Sequence, residues 1–219
     1  MSAEVAGLAM RAARLYAGAP LVARIFQRLR PRICPFEVLV ALVPAGARVL
    51  DVGCGSGLFL GLLAASGRLG RGVGIDRDAR ALAVADGMRQ TLADPGVLRF
   101  AAGDAGDLPP GTFTVVALID VLHHVPHAAQ VEVLAGAAAR VEPGGILLCK
   151  DIARRPRWRA LMNRLHDLVL ARQWVHHPDG AALSAACARA GLRVERHERI
   201  DRWWYGHELI VARRPLAAS

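Results

Sequence analysis

Asp51-Val52-Gly53-Cys54-Gly55-Ser56-Gly57 follows the run Ala47-Arg48-Val49-Leu50 and leads straight into Leu58-Phe59-Leu60-Gly61-Leu62-Leu63. A strand that ends in an acid, meets three glycines at alternate positions and then enters a helix puts small residues where the backbone must turn sharply and approach a ligand. A Cβ at those points would fill the ligand's space. An ordinary dinucleotide loop, G-x-G-x-x-G, would carry its third glycine at position 58, which is Leu58. The spacing is G-x-G-x-G, so no pyrophosphate need be met by this loop.

Outward from the loop, apolar runs alternate with helical patterns, the mark of strands joined by crossover helices in a mostly parallel sheet. The pattern predicts a strand at 47–52 feeding a helix at 58–66. It then predicts a strand at 72–76 and a helix at 78–92 in which Ala81, Leu82, Ala85 and Met88 share a face. Strands follow at 97–101 and 113–119, then a helix at 127–141 that stops at the turn Glu142-Pro143-Gly144-Gly145, then a strand at 145–151. Beyond it the rhythm breaks. Residues 157–175 carry Trp158, Leu161, Leu165, Leu168 and Val169 at helical spacing where a minimal crossover needs no such helix, so this stretch reads as inserted. A helix at 179–190 closing at Gly191 and strands at 192–199 and 207–213 complete the chain.

The 219 residues suffice for one substantial core, so a single domain is expected: a helical cap at 1–45, a ligand-binding core at 46–155, the helical insertion at 156–178 and a helix with a strand pair at 179–219. With 53% hydrophobic and 21% charged residues, the composition is globular and excludes a disordered chain. The net charge is +9, from 28 basic and 19 acidic residues, yet Lys150 is the only lysine. The arginines are dispersed, with local groups at Arg28-Arg30-Arg32 and Arg154-Arg155-Arg157-Arg159 and no nucleic-acid motif between them, so nucleic acid is not the expected partner.

Cys34, Cys54, Cys149 and Cys187 are too dispersed for a metal motif or a disulfide framework and read as reduced, buried residues. No stretch reaches the roughly 18–20 apolar residues that span a bilayer, and a cytoplasmic protein is expected. Residues 1–32 are basic and amphipathic, with Leu8, Leu15, Leu21, Val22, Ile25, Phe26 and Leu29 among arginines and only Glu4 acidic. A helix in peripheral contact with a membrane surface has this pattern. A core-facing cap helix has it too, and is the preferred reading.

The D-x-G-x-G-x-G sequence after a buried strand resembles the first motif of the class I S-adenosylmethionine-dependent methyltransferases, and further matches follow in order over about 47–213. The resemblance implies an α/β fold, a doubly wound, mostly parallel seven-stranded sheet with the last strand antiparallel, N-terminal helices and an inserted helical lid after strand five. It implies that S-adenosylmethionine is bound, and S-adenosylhomocysteine released, by Asp51 with the loop residues Gly53, Cys54, Gly55 and Gly57. Asp76, followed by Arg77, matches the acid that binds both ribose hydroxyls, a task suited to a carboxylate because it accepts two hydrogen bonds. Asp104 and the Ala105 backbone N–H match the adenine contacts, and Ile119 through His124, with Asp120 among them, occupies the stretch that lines the methyl position. The Glu142-Gly145 turn is also similar to the family's. Structural roles are open for several of these: Asp51 as a cap of the glycine turn, Asp76 as a cap of the next helix, Asp104 as a turn residue that Asp107 replaces, Cys54 as filler.

Methyl transfer from a sulfonium needs an aligned nucleophile and, where it carries a proton, a base near the methyl group. His123, His124 and His166 are the candidate catalytic bases, with Asp167, His176, His177 and His207 also near that part of the sequence. Trp158, His166, Trp174, Trp203, Tyr205 and His207 are the candidate substrate contacts, and an aromatic lid of this kind favours flat or greasy molecules; tryptophans that only pack the insertion onto the sheet are the equal alternative. The expected acceptor is a small, largely apolar metabolite, such as a phenol, a quinone precursor, or an acyl or polyketide chain, methylated at oxygen or an activated carbon. No metal is expected. An RNA- or protein-modifying methyltransferase and a non-catalytic cofactor-binding relative are the alternatives.

Overall fold

Ala47–Val52 forms strand β1 because five of its six residues are buried and only Arg48 reaches solvent, the near-continuous burial that a central parallel strand requires. In the computed structural model, which describes residues 2–152, 179–202 and 205–216, β1 pairs in parallel with β2 (Leu69–Asp76), and β2 pairs in parallel with β3 (Leu98–Ala102). The expected inserted helix at 157–175, with Trp158, His166, Asp167, Trp174, His176 and His177, lies outside the described residues, as do Trp203 and Trp204. β4 (Phe113–Ile119) pairs in parallel with β5 (Val141–Ile152), and β7 (Tyr205–Arg213) runs antiparallel to both β5 and β6 (Arg193–Arg202). The seven strands form a sheet in the order β3-β2-β1-β4-β5-β7-β6, the doubly wound arrangement with an antiparallel last strand that the sequence implied.

The chain divides into two compact units, Met1–Leu108 and Pro109–Ser219. The first holds α1 (Ala3–Leu15), α2 (Leu21–Ile33), α3 (Phe36–Leu42), α4 (Leu58–Ala65) and α5 (Ala79–Arg89) with strands β1 to β3. The second holds α6 (His127–Ala138) and α7 (Gly180–Arg189) with strands β4 to β7. Its fully buried residues include Val115, Val116, Leu118, Leu134, Leu147 and Leu148; those of the first unit include Leu39, Leu50, Leu60, Leu62 and Leu63. No helix among the described residues is long and apolar enough to cross a membrane.

Two expectations change. Glu142 through Gly145 is not a turn ahead of strand five; it lies within β5, where the pairing steps from Phe113↔Val141 to Val115↔Ile146. Gly144 at φ +79° absorbs the extra residues as a bulge, and a Cβ at Gly145 would stand 2.9 Å from the Thr114 carbonyl oxygen, so glycine sustains pairing there. The N-terminal helices also divide. α1 buries Val5, Leu8, Ala9, Ala12 and Leu15, as a core-facing cap does, but α2 turns Leu21, Val22, Ile25, Phe26 and Leu29 outward and buries Gln27 and Pro31 instead.

Candidate functional site

In the first unit, the glycine loop is fastened to the end of β2 by its backbone. The Gly53 and Cys54 N–H groups both donate to the Ile75 carbonyl, at 2.7 and 3.0 Å. Gly53, Gly55 and Gly57 have φ of +72°, +53° and +77°, in the left-handed region that glycine adopts without a Cβ penalty. At Gly57, which starts α4, a Cβ would also meet Phe100 Cζ at 2.7 Å, whereas at Gly55 it would meet no protein atom within 4 Å. Close packing excludes a side chain at Gly57. Open space lies in front of Gly55. The Tyr16 hydroxyl donates to the Ser56 carbonyl at 2.6 Å, so α1 holds the loop from its outer side.

Asp76 closes the loop. Its Oδ2 accepts the Gly55 N–H at 2.7 Å and its Oδ1 accepts the Asp78 N–H at 2.9 Å. The cap of α5 is Asp78, whose Oδ1 accepts from the Arg80 and Ala81 N–H groups at 2.8 and 3.4 Å, so that duty does not fall to Asp76. A carboxylate oxygen has more than one acceptor position, so each oxygen of Asp76 can take a further donor. Asp51, buried beside the loop at the end of β1, has its pKa pushed up to about 8, first by burial and then by the charge of Asp76, with Arg30 opposing. Burial likewise raises the Cys54 thiol far above its ordinary value, which makes it a packed, unreactive group. Asp104 is exposed, and its Oδ1 accepts the Gly106 N–H at 2.9 Å within its own turn; Ala105 is half-buried, and Arg77 and Asp107 are exposed.

The second unit gathers a separate polar cluster where β4 and β5 end. Asp120 has φ +58°, alone among non-glycine described residues in the left-handed region. Lys150 holds it twice, accepting the Asp120 N–H on its carbonyl at 2.8 Å and placing Nζ 2.5 Å from Asp120 Oδ1. His123 sits in the short turn Leu122–His124, 4% exposed, with Nδ1 2.7 Å from Asp151 Oδ1 and its N–H donating to Asp151 Oδ2 at 3.2 Å. A carboxylate can only accept, so Nδ1 carries the hydrogen and Nε2 is the basic nitrogen. The His124 ring lies against His123 at 3.9 Å between centroids. Buried Gln130 ties the turn down through Nε2, which donates to the Leu122 and Val125 carbonyls at 2.9 and 3.1 Å.

Asp120, His123 and Asp151 bring ligand-type atoms within 4.8 Å of one another, the donor set a divalent cation would use. In this structure the Lys150 ammonium and the His123 imidazole already meet those carboxylates. His207 is buried in β7, in register with Ile152, and stacks on Tyr205 at 6.2 Å.

A family model described as a methyltransferase domain matches residues 12–197, most of the chain. The chain belongs to the class I S-adenosylmethionine-dependent methyltransferases. Within this family it is 33% identical over 171 residues, 72% of this chain and 67% of the other, to a ubiquinone biosynthesis O-methyltransferase of Xanthomonas axonopodis pv. citri. It is 37% identical over 112 residues to the protein of the same name from Ralstonia nicotianae, covering 50% of this chain and 45% of that one. The chain spans about half the length of most curated relatives it matches. In fold, the methyltransferase resembles the magnesium protoporphyrin IX methyltransferase from Synechocystis PCC 6803 solved with bound SAH, at a TM-score of 0.69 and 19% identity over 94% of this chain and 93% of the other.

The structure thus gathers Asp51, Gly53, Cys54, Gly55, Gly57 and Asp76 in one unit, and Asp120, His123 and His124 in the other. Lys150 and Asp151 join the second group without having been singled out as site residues. The signal was present: two charges close the apolar run Ile146-Leu147-Leu148-Cys149, and one is the sole lysine of an arginine-rich chain.

Proposed function

We propose that this chain methylates a hydroxyl of a small aromatic quinone precursor, with S-adenosylmethionine as donor and His123 as the base. The observation that carries the proposal is the buried His123–Asp151 pair, 2.7 Å apart, in the segment after β4. The names of the curated relatives point to the acceptor class and to oxygen as the methylated atom, and favour a small molecule over RNA or protein.

The residues of the first unit suit the cofactor. Asp76 offers a carboxylate to a vicinal diol, and the space before Gly55 admits a ligand against the backbone. Asp51, raised to about 8 by burial, is stabilised as an anion by any ammonium brought beside it, and the amino group of the methionine portion is such a cation. When bound, the cofactor supplies a methyl group already activated on a sulfonium. The chain's own part is then alignment and proton removal. Asp151 fixes the His123 ring and its tautomer, so that Nε2 accepts the hydroxyl proton while the oxygen takes the methyl, and Asp151 stabilises the resulting imidazolium. Gln130 keeps the turn from shifting.

The experiment is a transfer assay with methyl-labelled S-adenosylmethionine over dihydroxylated and prenylated phenols, acyl chains and bulk RNA. Label in the phenol fraction, recovered as an ether, is the expected result. Label confined to RNA, or the absence of calorimetric binding of either S-adenosylmethionine or S-adenosylhomocysteine, overturns the proposal.

A further inference from the structure

α2 presents its apolar side to solvent. Leu21, Val22, Ile25, Phe26 and Leu29 are 60%, 81%, 50%, 46% and 43% exposed, an unusual concentration of large apolar side chains on one short element. At about 100° per residue they form one continuous stripe, and the buried residues of the helix, Gln27 and Pro31, fall on its opposite side. The helix packs on α1 by an edge that includes Gln27 and Pro31 and leaves its apolar face exposed. That is the inverse of what core burial produces.

The flanks of the stripe are basic. Arg24 and Arg28 are exposed along one side, Arg32 follows a turn later, and no acidic residue occurs between Glu4 and Glu37. We infer that α2 is a docking surface for an anionic lipid bilayer, lying in the headgroup plane with Leu21, Val22, Ile25, Phe26 and Leu29 inserted and Arg24 and Arg28 against phosphates. An apolar stripe of this kind, bordered by arginines and free of acids, is the composition that interfacial helices use. With 13 residues the helix is too short to span a bilayer, which takes about 20, so it lies on the surface. Pairing with a second copy of the chain is disfavoured by charge, because a symmetric contact through this stripe sets arginines against arginines with no acid to separate them. The inference is independent of the methyl-transfer reading.

The test is co-sedimentation of the full chain with vesicles of phosphatidylglycerol and phosphatidylcholine in equal parts, against vesicles of phosphatidylcholine alone. Binding to the anionic vesicles is expected. Raising the salt from about 0.1 M to about 1 M, which shortens the screening length from about 10 Å to about 3 Å, weakens it strongly. Ile25→Glu with Phe26→Glu should cut binding by roughly tenfold or more, and Arg24→Glu with Arg28→Glu should remove the preference for anionic lipid. These positions are exposed, so an unchanged melting temperature in both variants certifies the fold.

Absence of vesicle binding, or binding that both variants retain, overturns the inference. So does a dimer in sedimentation velocity that Ile25→Glu with Phe26→Glu splits without lipid present, which assigns the stripe to a second copy. The four native cysteines are buried, so a Phe26→Cys thiol can be titrated selectively. A thiol slow to react in the lipid-free monomer assigns the stripe to another part of the same chain and equally overturns it; prompt reaction, blocked by anionic vesicles, supports it.

Discussion

The two units hold their carboxylates in opposite ways. In the first, Asp76 is met by backbone N–H groups, and Asp51, buried near the Asp76 charge with Arg30 opposing, is left with a raised pKa. In the second, Asp120 and Asp151 are each joined to a basic side chain, Lys150 at 2.5 Å and His123 at 2.7 Å. A buried carboxyl whose pKa is raised gives up its proton more readily when a cationic ligand comes beside it. One that is internally paired is preorganised before any ligand arrives. Under the proposed function, the first carboxylates recognise the cofactor and the second serve the reaction.

The largest effect should come from taking the base out of the paired cluster. His123→Gln should lower kcat by about 100-fold or more while the affinity for S-adenosylhomocysteine is unchanged, read by steady-state kinetics beside calorimetry. An equal loss of cofactor affinity would break the division of labour. Next, Lys150→Met leaves the Asp120 carboxylate, 18% exposed, without its ammonium, and should cost about 3 kcal/mol in urea unfolding. Adding Asp120→Asn should recover most of it, since the uncompensated charge is then gone. In the first unit, Asp76→Ala should weaken cofactor binding by about 1.5–3 kcal/mol through the loss of charge-assisted hydrogen bonds, with a smaller effect on kcat.

The smallest effect is a pH slope. The Asp51 carboxyl titrates near 8 when folded and near its ordinary value when unfolded, so between about pH 4 and about pH 8 the folded chain holds a proton that the unfolded chain has released. That contribution is full at the acid end and declines as the pH rises through the window. Asp51→Asn should flatten this part of the melting-temperature profile, and saturating S-adenosylmethionine should flatten it in the parent chain by stabilising the anion.

Much of the first unit was legible in the sequence because its chemistry is local. Gly53, Gly55 and Gly57 carry the positive φ that their residue type permits, and β1 at 47–52 was bounded by its own apolar run. The second cluster was only half legible. His123 could be named from its segment, but its partner Asp151 lies 28 positions away and is brought to it by the parallel pairing of β4 with β5, which no spacing rule encodes. Glu142 through Gly145 misled for a related reason, since proline and glycine read as a turn whereas tertiary pairing continued the strand around them as a bulge. For residues 1–32 the periodicity gave an amphipathic pattern, and the preferred core-facing reading holds for α1 and not for α2. Direction is a property of the neighbours, and α1 and α2 took opposite ones.

Lys150 also makes the chain its own reporter. The only lysine in the sequence is 1% exposed, so an amine-acylating reagent can modify an internal position only when the ends of β4 and β5 part. The rate of acylation at Lys150, resolved from the terminal amine by peptide mass, therefore measures local opening around the proposed base. A methyl acceptor that docks at His123 should slow that labelling without changing the global unfolding midpoint in proportion.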